Sequence, residues 1–504
     1  MNVRKVVIEP TQGAKRRADL VLAQRRTSGG AALSCSKEKV KRSWPTPRYR
    51  HLLDHIGASK DTGGRRPWSI NRRNSLYKAP VDLGQCRRNS TDDHVCGLRN
   101  RLIVAIAEDG IRRGEARINQ DLTRMLGAKL AIDRVDLQEI FDALANRGYQ
   151  VIGPTVRDGA IIYDTVARLE DLPVGWTDRQ DAGRYRIEQR GDAALFGYAV
   201  GPHSWKRFLH PPVERLWQAR REGNGFSVIE DDEAIEPLAF IGVRACELRA
   251  IAIHDRVFLA GQSSDKSYKI RRDRAFIIAV NCSQAGGTCF CVSMDAGPKV
   301  EAGFDLALTE LVEEGGHRFV MEVGSIAGAD LIRDLPRRTA TEAEIAAAER
   351  VVARTRGQMG RTLETNGLKE LLQANPNHPR WDEAAERCLT CGNCTNVCPT
   401  CFCTTIDDTT DLSSATAERV RRWDSCFTLD FSYVHGGSVR SSARSRYRQW
   451  MTHKLAHWVD QFGSSGCVGC GRCITWCPVG IDITEEAAAI RGSPEPSGAV
   501  SEGC

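Results

Sequence analysis

The chain has 504 residues, 71 Lys or Arg against 64 Asp or Glu, and a formal net charge of +7. Its length exceeds what one hydrophobic core usually serves, and its hydrophobic fraction of 41% excludes a wholly disordered chain. No apolar run reaches the roughly 18–20 residues of a membrane helix, and the N-terminus lacks the apolar stretch of a signal peptide. We therefore expect a cytoplasmic protein of two or more domains, whose 19 Cys indicate metal or redox chemistry.

The positive charge is concentrated at the N-terminus. Residues 1–100 hold 22 Lys or Arg against 8 Asp or Glu, a balance of +14, which leaves −7 for the other 404 residues. This segment lacks a sustained helical or strand period, so we predict a basic, disordered extension. The alternative is an arm for an anionic partner such as nucleic acid, although no folded nucleic-acid module accompanies the charge. The cysteines of this segment lack ligand spacing and are interpreted as incidental: Cys35, Cys86 and Cys96.

Mixed helix and strand patterns follow over residues 101–335. Helical spacing of apolar residues occupies the first part, and strand-like runs such as LAFIGVRA (238–245), AFIIAVNC (275–282) and HRFVMEVGS (317–325) come later. We predict one α+β domain here. An Ala/Glu/Arg-rich helical linker at 336–381 is expected to begin at a capping box formed by Thr341 and Glu344, and NPNHPRW breaks it near its end.

Two cysteine runs, CLTCGNCTNVCP and CVGCGRCITWCP, share the spacing C-x2-C-x2-C-x3-C-P. This is the bacterial ferredoxin spacing for 4Fe-4S clusters, in which three thiolates hold one cube and the fourth reaches the other. A zinc site would favour separated C-x2-C pairs instead. We therefore predict two 4Fe-4S clusters. The first set of ligands is Cys388, Cys391, Cys394 and Cys477, and the second set is Cys467, Cys470, Cys473 and Cys398.

The two runs are separated by 68 residues, which is too many for a compact two-hairpin ferredoxin. The insert contains helix-compatible stretches, including ERVRRWDSC and SSARSRYRQWMTHKLAHWVDQFG. We predict a helix-rich, two-cluster ferredoxin-type domain over 382–485, followed by a disordered tail over 486–504 that holds Cys504. Basic side chains of the insert could offset cluster charge or lie on a solvated helix face: Arg446, Arg448, His453 and Lys454.

Further cysteines lie upstream, in VRACELRA and NCSQAGGTCFC. They follow strand-like segments, where loops often carry function. This third set, which consists of Cys246, Cys282, Cys289 and Cys291, could hold a third metal site, or its members are buried, inert thiols. Three more cysteines near the first run have no firm role, and we do not assign them as ligands: Cys401, Cys403 and Cys426.

Motifs for substrate chemistry are missing from the sequence. There is no G-x-G-x-x-G between a strand and a helix, no G-x-x-x-x-G-K-[ST], and no Ser/His/Asp or H-E-x-x-H arrangement. A nucleotide site on this chain is therefore unsupported, and we assign no catalytic residue. The simplest interpretation is a chain that moves electrons while substrate chemistry occurs elsewhere.

The order of VRACELRAIAIHDRVF, TCFCVSMDAGP, RCLTCGNCTNVCPTCFCTTIDD and GCVGCGRCITWCPVGIDIT resembles the iron–sulfur beta subunit of cytoplasmic nickel–iron sulfhydrogenases. It is equally similar to the iron–sulfur subunit of anaerobic sulfite reductases. The resemblance covers roughly residues 120–490. It implies an electron relay that connects a flavin/NAD(P)-binding reductase subunit with either a hydrogenase small subunit or a sirohaem sulfite reductase subunit. By position, the first and second sets match the family's cluster ligands, and the third set matches its upstream cysteine segments.

Two other functions remain open. The chain could be a catalytic, heterodisulfide-reductase-like subunit that uses the third set, which turnover by the isolated chain would reveal. It could also be a redox-sensing nucleic-acid binder built on the basic extension, for which DNA binding would depend on salt and on residues 1–100.

Overall fold

The computed structural model describes residues 119–199, 201–229, 235–313, 316–413 and 415–492. All of them belong to one compact unit, Gly110–Cys504. The predicted basic extension, the disordered tail and the cysteines within them lie outside the described residues. The predicted domain boundaries stay a prediction.

The strands of the described residues form one large sheet, one smaller sheet and two short ribbons. In chain order the strands are β1 (Lys129–Asp133), β2 (Gln150–Arg157), β3 (Ala160–Thr165), β4 (Trp176–Asp181), β5 (Arg184–Gln189), β6 (Val213–Glu222), β7 (Gly225–Ile229), β8 (Leu238–Val243), β9 (Phe276–Val280), β10 (Leu306–Glu313), β11 (Gly316–Val323), β12 (Arg338–Thr339), β13 (Thr404–Thr410), β14 (Thr416–Trp423), β15 (Tyr433–Val434) and β16 (Gly437–Ser438).

Helices cover the large sheet and build the cysteine-rich part. In chain order the α-helices are α1 (Leu137–Asn146), α2 (Lys206–Leu209), α3 (Ala245–Phe258), α4 (Lys266–Asp273), α5 (Ile326–Ile332), α6 (Glu342–Arg356), α7 (Leu368–Ala374), α8 (Arg380–Arg387), α9 (Asn393–Asn396), α10 (Ala443–Thr452), α11 (Trp458–Phe462), α12 (Arg472–Thr475) and α13 (Ile483–Gly492). A π-helical turn, His453–His457, joins α10 to α11. The α+β class predicted from the sequence is confirmed.

The large sheet has the order β12-β1-β11-β10-β9-β8-β2-β3. Strands β2, β8, β9 and β10 run parallel, and their other pairings in the sheet are antiparallel. The predicted strands at LAFIGV and FIIAV are β8 and β9, and both are apolar and almost wholly buried. Such continuous apolar runs suit parallel strands that are covered on both faces.

Alternate residues of these strands enter two different cores. Ile241 and Ile278 pack on one face with Phe141 of α1, whereas Phe240 and Ile277 pack on the other face with helices α3 and α4. The two-residue period of a strand therefore produces a three-layer arrangement. The carboxyl ends of β8 and β9 meet at one edge, where the third set of cysteines begins.

The predicted capping box of the linker helix is confirmed. Thr341 is the N-cap of α6, its hydroxyl accepts from the Glu344 amide at 3.3 Å, and the Thr341 amide donates to the Glu344 carboxylate at 2.9 Å. The NPNHPRW break is confirmed as well, because α7 ends at Ala374 and α8 begins at Arg380.

A second core supports the cysteine runs. It is formed by helices α7, α8, α10 and α13 around Trp381, Tyr447 and Ile483, and cysteines of both runs lie at its border. A ferredoxin-type domain therefore occupies the C-terminal part of the described chain, as predicted. Its helix-rich character stays a prediction.

The structure corrects the expectation for one stretch of the insert. ERVRRW is helix-compatible in composition, but the structure places it in strand β14. Strand β14 pairs with β13 on one side and with the distant β6 on the other, within a sheet of order β13-β14-β6-β7. Arg421 forms buried ion pairs with Glu214 and Asp265 there. This tertiary pairing overrides local helix propensity.

Candidate metal centres

The first set of cysteines surrounds one small cavity. Cys388, Cys391, Cys394 and Cys477 all line it, together with Cys473 and the aromatic rings of Phe427, Tyr447 and Trp450. Helix α8 ends immediately before Cys388, and Gly392 takes a φ of +76°, so the chain can curl around the cavity. Cys477 joins the three cysteines of the other run, as the ferredoxin spacing predicts.

Backbone amides point at sulfurs of this set. The Thr390 amide donates to Cys388 Sγ at 3.4 Å, and the Ile481 amide donates to Cys477 Sγ at 3.3 Å. Burial and neighbouring thiols raise the pKa of Cys394, so deprotonation of this thiol needs a compensating positive charge such as iron. A group of convergent thiols with amide donors fits a 4Fe-4S cube, whose potential depends on such hydrogen bonds.

The second set also converges. Cys467, Cys470 and Cys473 lie within electrostatic reach of one another and of Cys398 from the first run. The Gly469 amide donates to Cys467 Sγ at 3.4 Å. Burial raises the pKa of the Cys467 thiol to about 12. The structure therefore brings together the eight cysteines in the two groupings that the sequence predicts, and their role as ligands stays a prediction.

A buried ammonium group accompanies the second set. Lys454 lies in the π-helical turn with 3% of its surface exposed, and its Nζ donates to Cys398 Sγ at 3.1 Å and to Cys401 Sγ at 3.2 Å. Burial disfavours its charge, but the thiolates of Cys398 and Cys401 outweigh this and raise the pKa of Lys454. π-Helical turns occur frequently at functional sites. Among the basic residues proposed from the sequence, Lys454 is the one whose ammonium group bonds to predicted ligand sulfur.

The other basic candidates take different places. Arg448 donates to the Pro376 carbonyl, and the His453 ring packs near Trp458. Arg446 lies within electrostatic reach of Cys388 and lowers the pKa of that thiol, although burial is the larger effect and raises it.

The third set lies where two parallel strands end. Cys246 is in the first turn of α3, directly after β8, and Cys282 follows β9. Cys291 interacts with Cys289 and Cys282, and Cys246 interacts with Cys291. Burial raises the pKa of the Cys289 thiol to about 12. The structure thus brings the four upstream cysteines into one neighbourhood.

The second and third sets are adjacent. Cys470 lies within electrostatic reach of Cys246, Cys289 and Cys291. A buried ion pair fixes this arrangement, because Arg472 Nη2 lies 2.6 Å from Glu247 Oε1 and joins α12 to α3. The Glu247 carboxylate also accepts from Tyr163 and Trp205, so its charge is well hydrogen-bonded.

Several residues of this site have no signal in the sequence pattern. Glu247 and Arg472 stand next to predicted ligands, but their pairing spans 225 positions. Lys206, a second buried lysine, donates to the Cys401 carbonyl at 3.1 Å and lies 3.9 Å from the centre of a Trp423 ring. Only proximity to the cysteine motifs could have suggested the first two, and nothing in the sequence suggests Lys206.

Within the described ranges, no group of three or more His, Cys, Asp or Glu side chains is arranged to hold a single metal ion. None of the helices in those ranges has the length and apolar composition that a membrane crossing requires.

These features define an iron–sulfur protein of the dicluster class. The family model of the 4Fe-4S dicluster domain matches residues 387–481. The chain is also 30% identical over 294 residues to Sulfhydrogenase 2 subunit beta of Pyrococcus furiosus, a match that covers 57% of this chain and 82% of that protein. No solved structure matches the chain significantly.

The chain therefore belongs to the family of iron–sulfur beta subunits that includes this sulfhydrogenase subunit. It is an electron-transfer iron–sulfur subunit with a 4Fe-4S dicluster domain, as the sequence resemblance predicted.

Proposed function

We propose that the chain relays electrons inside a cytoplasmic oxidoreductase complex. One partner is a flavin/NAD(P)-binding reductase subunit, and the other is a hydrogenase small subunit or a sirohaem sulfite reductase subunit. The observation that carries the proposal is the convergence of two four-cysteine sets, each completed by a cysteine of the other run. The name of the sulfhydrogenase relative supports the hydrogenase partner.

Each of these two sets holds one 4Fe-4S cluster. When bound, the clusters supply one-electron carriers whose potentials depend on charge, hydrogen bonds and exposure. The chain's own part is to provide thiolates and to aim amides at them from Thr390, Gly469 and Ile481. The aromatic rings of Phe427, Tyr447 and Trp450 shield the first cavity from water.

The third set holds a further cluster in this proposal. Its four thiols lie together at the carboxyl ends of β8 and β9, and Arg244 hydrogen-bonds to Cys282 from a fully buried position. A buried guanidinium beside thiols favours their ionised form, which metal binding requires.

The order of the stations follows from shared neighbours. Cys470 of the second set is next to Cys246 and Cys291, and Cys473 of the second set lines the cavity of the first. The second set therefore lies between the other two, which makes a linear relay. At the far end, Cys391 is exposed beside the exposed side chains of Leu389 and Val479, which suits contact with a partner subunit.

Iron counting tests the ligand assignment. The chain purified without oxygen is expected to hold about 12 Fe with three clusters and about 8 Fe with two, at four Fe per cube. Cys394→Ser should remove the first cluster, with its EPR signal, and stop transfer to the hydrogenase partner. Cys96→Ser, at a cysteine without ligand spacing, is the matched control and should change neither iron nor transfer.

Unchanged iron and unchanged partner reduction in Cys394→Ser would overturn the assignment. Turnover of a disulfide substrate by the isolated chain with an artificial donor would favour the catalytic alternative instead, because a pure relay has no physiological acceptor of its own.

A further inference from the structure

Three cysteines outside the three sets form a continuous thiol row: Cys401, Cys403 and Cys426. The β13–β14 hairpin brings two of them together. Cys403 precedes β13 and Cys426 follows β14, while Thr404 pairs with Trp423 at the open end of the ladder. The Asp424 amide continues this pairing by donating to the Cys403 carbonyl at 2.8 Å. The register of the hairpin therefore fixes the distance between the two thiols.

The thiols of Cys403 and Cys426 hydrogen-bond to each other, and the Cys426 amide also donates to the Cys403 sulfur. The row reaches both predicted clusters. Cys426 lies within electrostatic reach of Cys394 of the first set, and Cys401 hydrogen-bonds to Cys398 of the second set. A pair of thiols therefore stands between two groups of metal ligands without belonging to either.

The charge around the pair makes its two members unequal. The hydrogen bond from Cys426, reinforced by the ammonium groups of Lys454 and Lys206, lowers the pKa of Cys403 to about 7. The same hydrogen bond, together with burial, raises the pKa of the Cys426 thiol. Near neutral pH a thiolate thus faces a thiol, the arrangement in which dithiols are most readily oxidised.

We propose that Cys403 and Cys426 are a redox-active dithiol that exchanges two electrons with the neighbouring clusters. In the oxidising direction, the Cys403 thiolate and the Cys426 thiol form one S–S bond, give one electron to each of two clusters, and release one proton. Both residues are partly exposed, so the proton passes to solvent. In the reducing direction, two electrons and one proton restore the pair.

The proposal rests on the proposed function, because the clusters are its one-electron partners. It adds a store for a pair of electrons to a chain of one-electron carriers. Such a store suits a relay whose partners exchange electrons in pairs.

Electron counting on the full chain tests the proposal. The protein, purified without oxygen and oxidised with thionine, is titrated with dithionite, and iron is measured on the same samples. The wild-type chain is expected to accept about two electrons more than Cys403→Ser or Cys426→Ser, since the disulfide is a two-electron couple. Cys401→Ser, in the same row but outside the pair, is the matched control and should keep the wild-type count.

Thiol mapping gives a readout independent of electron transfer. After oxidation and alkylation with iodoacetamide, mass spectrometry should show the peptides of Cys403 and Cys426 linked to each other. After reduction, each should carry one alkyl group.

Two results would overturn the dithiol. One is an electron count that the Cys403→Ser and Cys426→Ser variants leave unchanged. The other is a loss of iron in these variants, which would make the residues ligands. Wild-type protein without iron or EPR signals would instead contradict the proposed function, and the linked peptides would still decide the fate of the dithiol.

Discussion

At the residue scale, the nearest charge to the second set is the ammonium group of Lys454. Its Nζ lies 3.1 Å from Cys398 Sγ in a buried place, where a charge is poorly screened by water. Reduction of a cluster adds a negative charge, so a fixed positive charge beside a ligand sulfur favours the reduced form.

Lys454→Met should therefore lower the reduction potential of one cluster and leave the others nearly unchanged. A tenfold change in the redox equilibrium, which is about 59 mV for one electron, is the expected scale. EPR-monitored redox titration measures it. Lys454→Arg keeps the charge and should restore most of the potential.

The matched control is Lys269→Met, which removes an exposed lysine paired with Asp273 at 2.7 Å. It should leave every potential unchanged. A wild-type potential in Lys454→Met would show that this ammonium group does not tune the second cluster.

At the scale of elements, the second run and the upstream segment touch through their backbones. The Phe290 amide donates to the Gly469 carbonyl at 2.8 Å, and a Cβ on Gly469 would lie 2.5 Å from the Phe290 carbonyl oxygen. Glycine at this position thus serves the contact between two cysteine segments, in addition to its positive φ of +65°.

Gly469→Ala should push these two segments apart. We expect it to lower the thermal midpoint and to reduce the iron content, because the second and third sets meet at this contact. Iron assays and thermal unfolding, both on protein purified without oxygen, measure the effect.

Gly463 offers a matched control. It has a φ of +69° at the end of α11, but a Cβ there would meet nothing within 4 Å. Gly463→Ala should cost only the conformational term, about 1 kcal/mol, and keep all iron. Equal losses in the two variants would contradict the contact argument.

At the scale of the whole molecule, the seam between the large sheet and the insert holds a neutral histidine. His210 is fully buried between the rings of Phe258 and Trp423, at 4.8 and 6.3 Å between centroids. Burial, with the facing cations Arg421 and Lys206, lowers the pKa of His210 to about 3, although Asp265 acts in the opposite direction.

The seam should therefore weaken in mild acid. The unfolded chain binds a proton at His210 as the pH falls below about 6.5, whereas the folded chain does not until about pH 3, so stability is lost across that window. Between pH 7 and pH 5 the loss is about 2 kcal/mol for this group.

His210→Phe removes the titrating ring and should show a smaller fall in thermal midpoint from pH 7 to pH 5 than the wild type. The comparison is made on protein with matched iron content. An identical fall in both proteins would assign the acid sensitivity to other groups.

Local patterns predicted much of this molecule. The strands β8 and β9, the capping box at Thr341 and the grouping of the two cysteine runs each follow from a few neighbouring residues, because spacing and periodicity are local properties. The exchange of Cys398 and Cys477 between the sets could also be predicted, since the ferredoxin motif encodes it.

The contacts that depend on distant parts of the chain could not be predicted. Strand β14 pairs with β6 roughly two hundred positions away, and the Arg472–Glu247 ion pair spans 225 positions. Sequence patterns carry no term for such pairings, so the composition of an arginine-rich strand indicates a helix instead. The burial of Lys206 and Lys454 beside thiols depends on the same long-range packing.

The exchange of cysteines between the two runs has a consequence for biosynthesis. Since Cys477 lies in the cavity of the first set, that set stays incomplete while the ribosome is still translating the insert. The second set likewise waits for Cys473. Iron delivery to both positions is therefore a late event that follows release of almost the whole chain, and a product that stops within the insert holds neither complete ligand set.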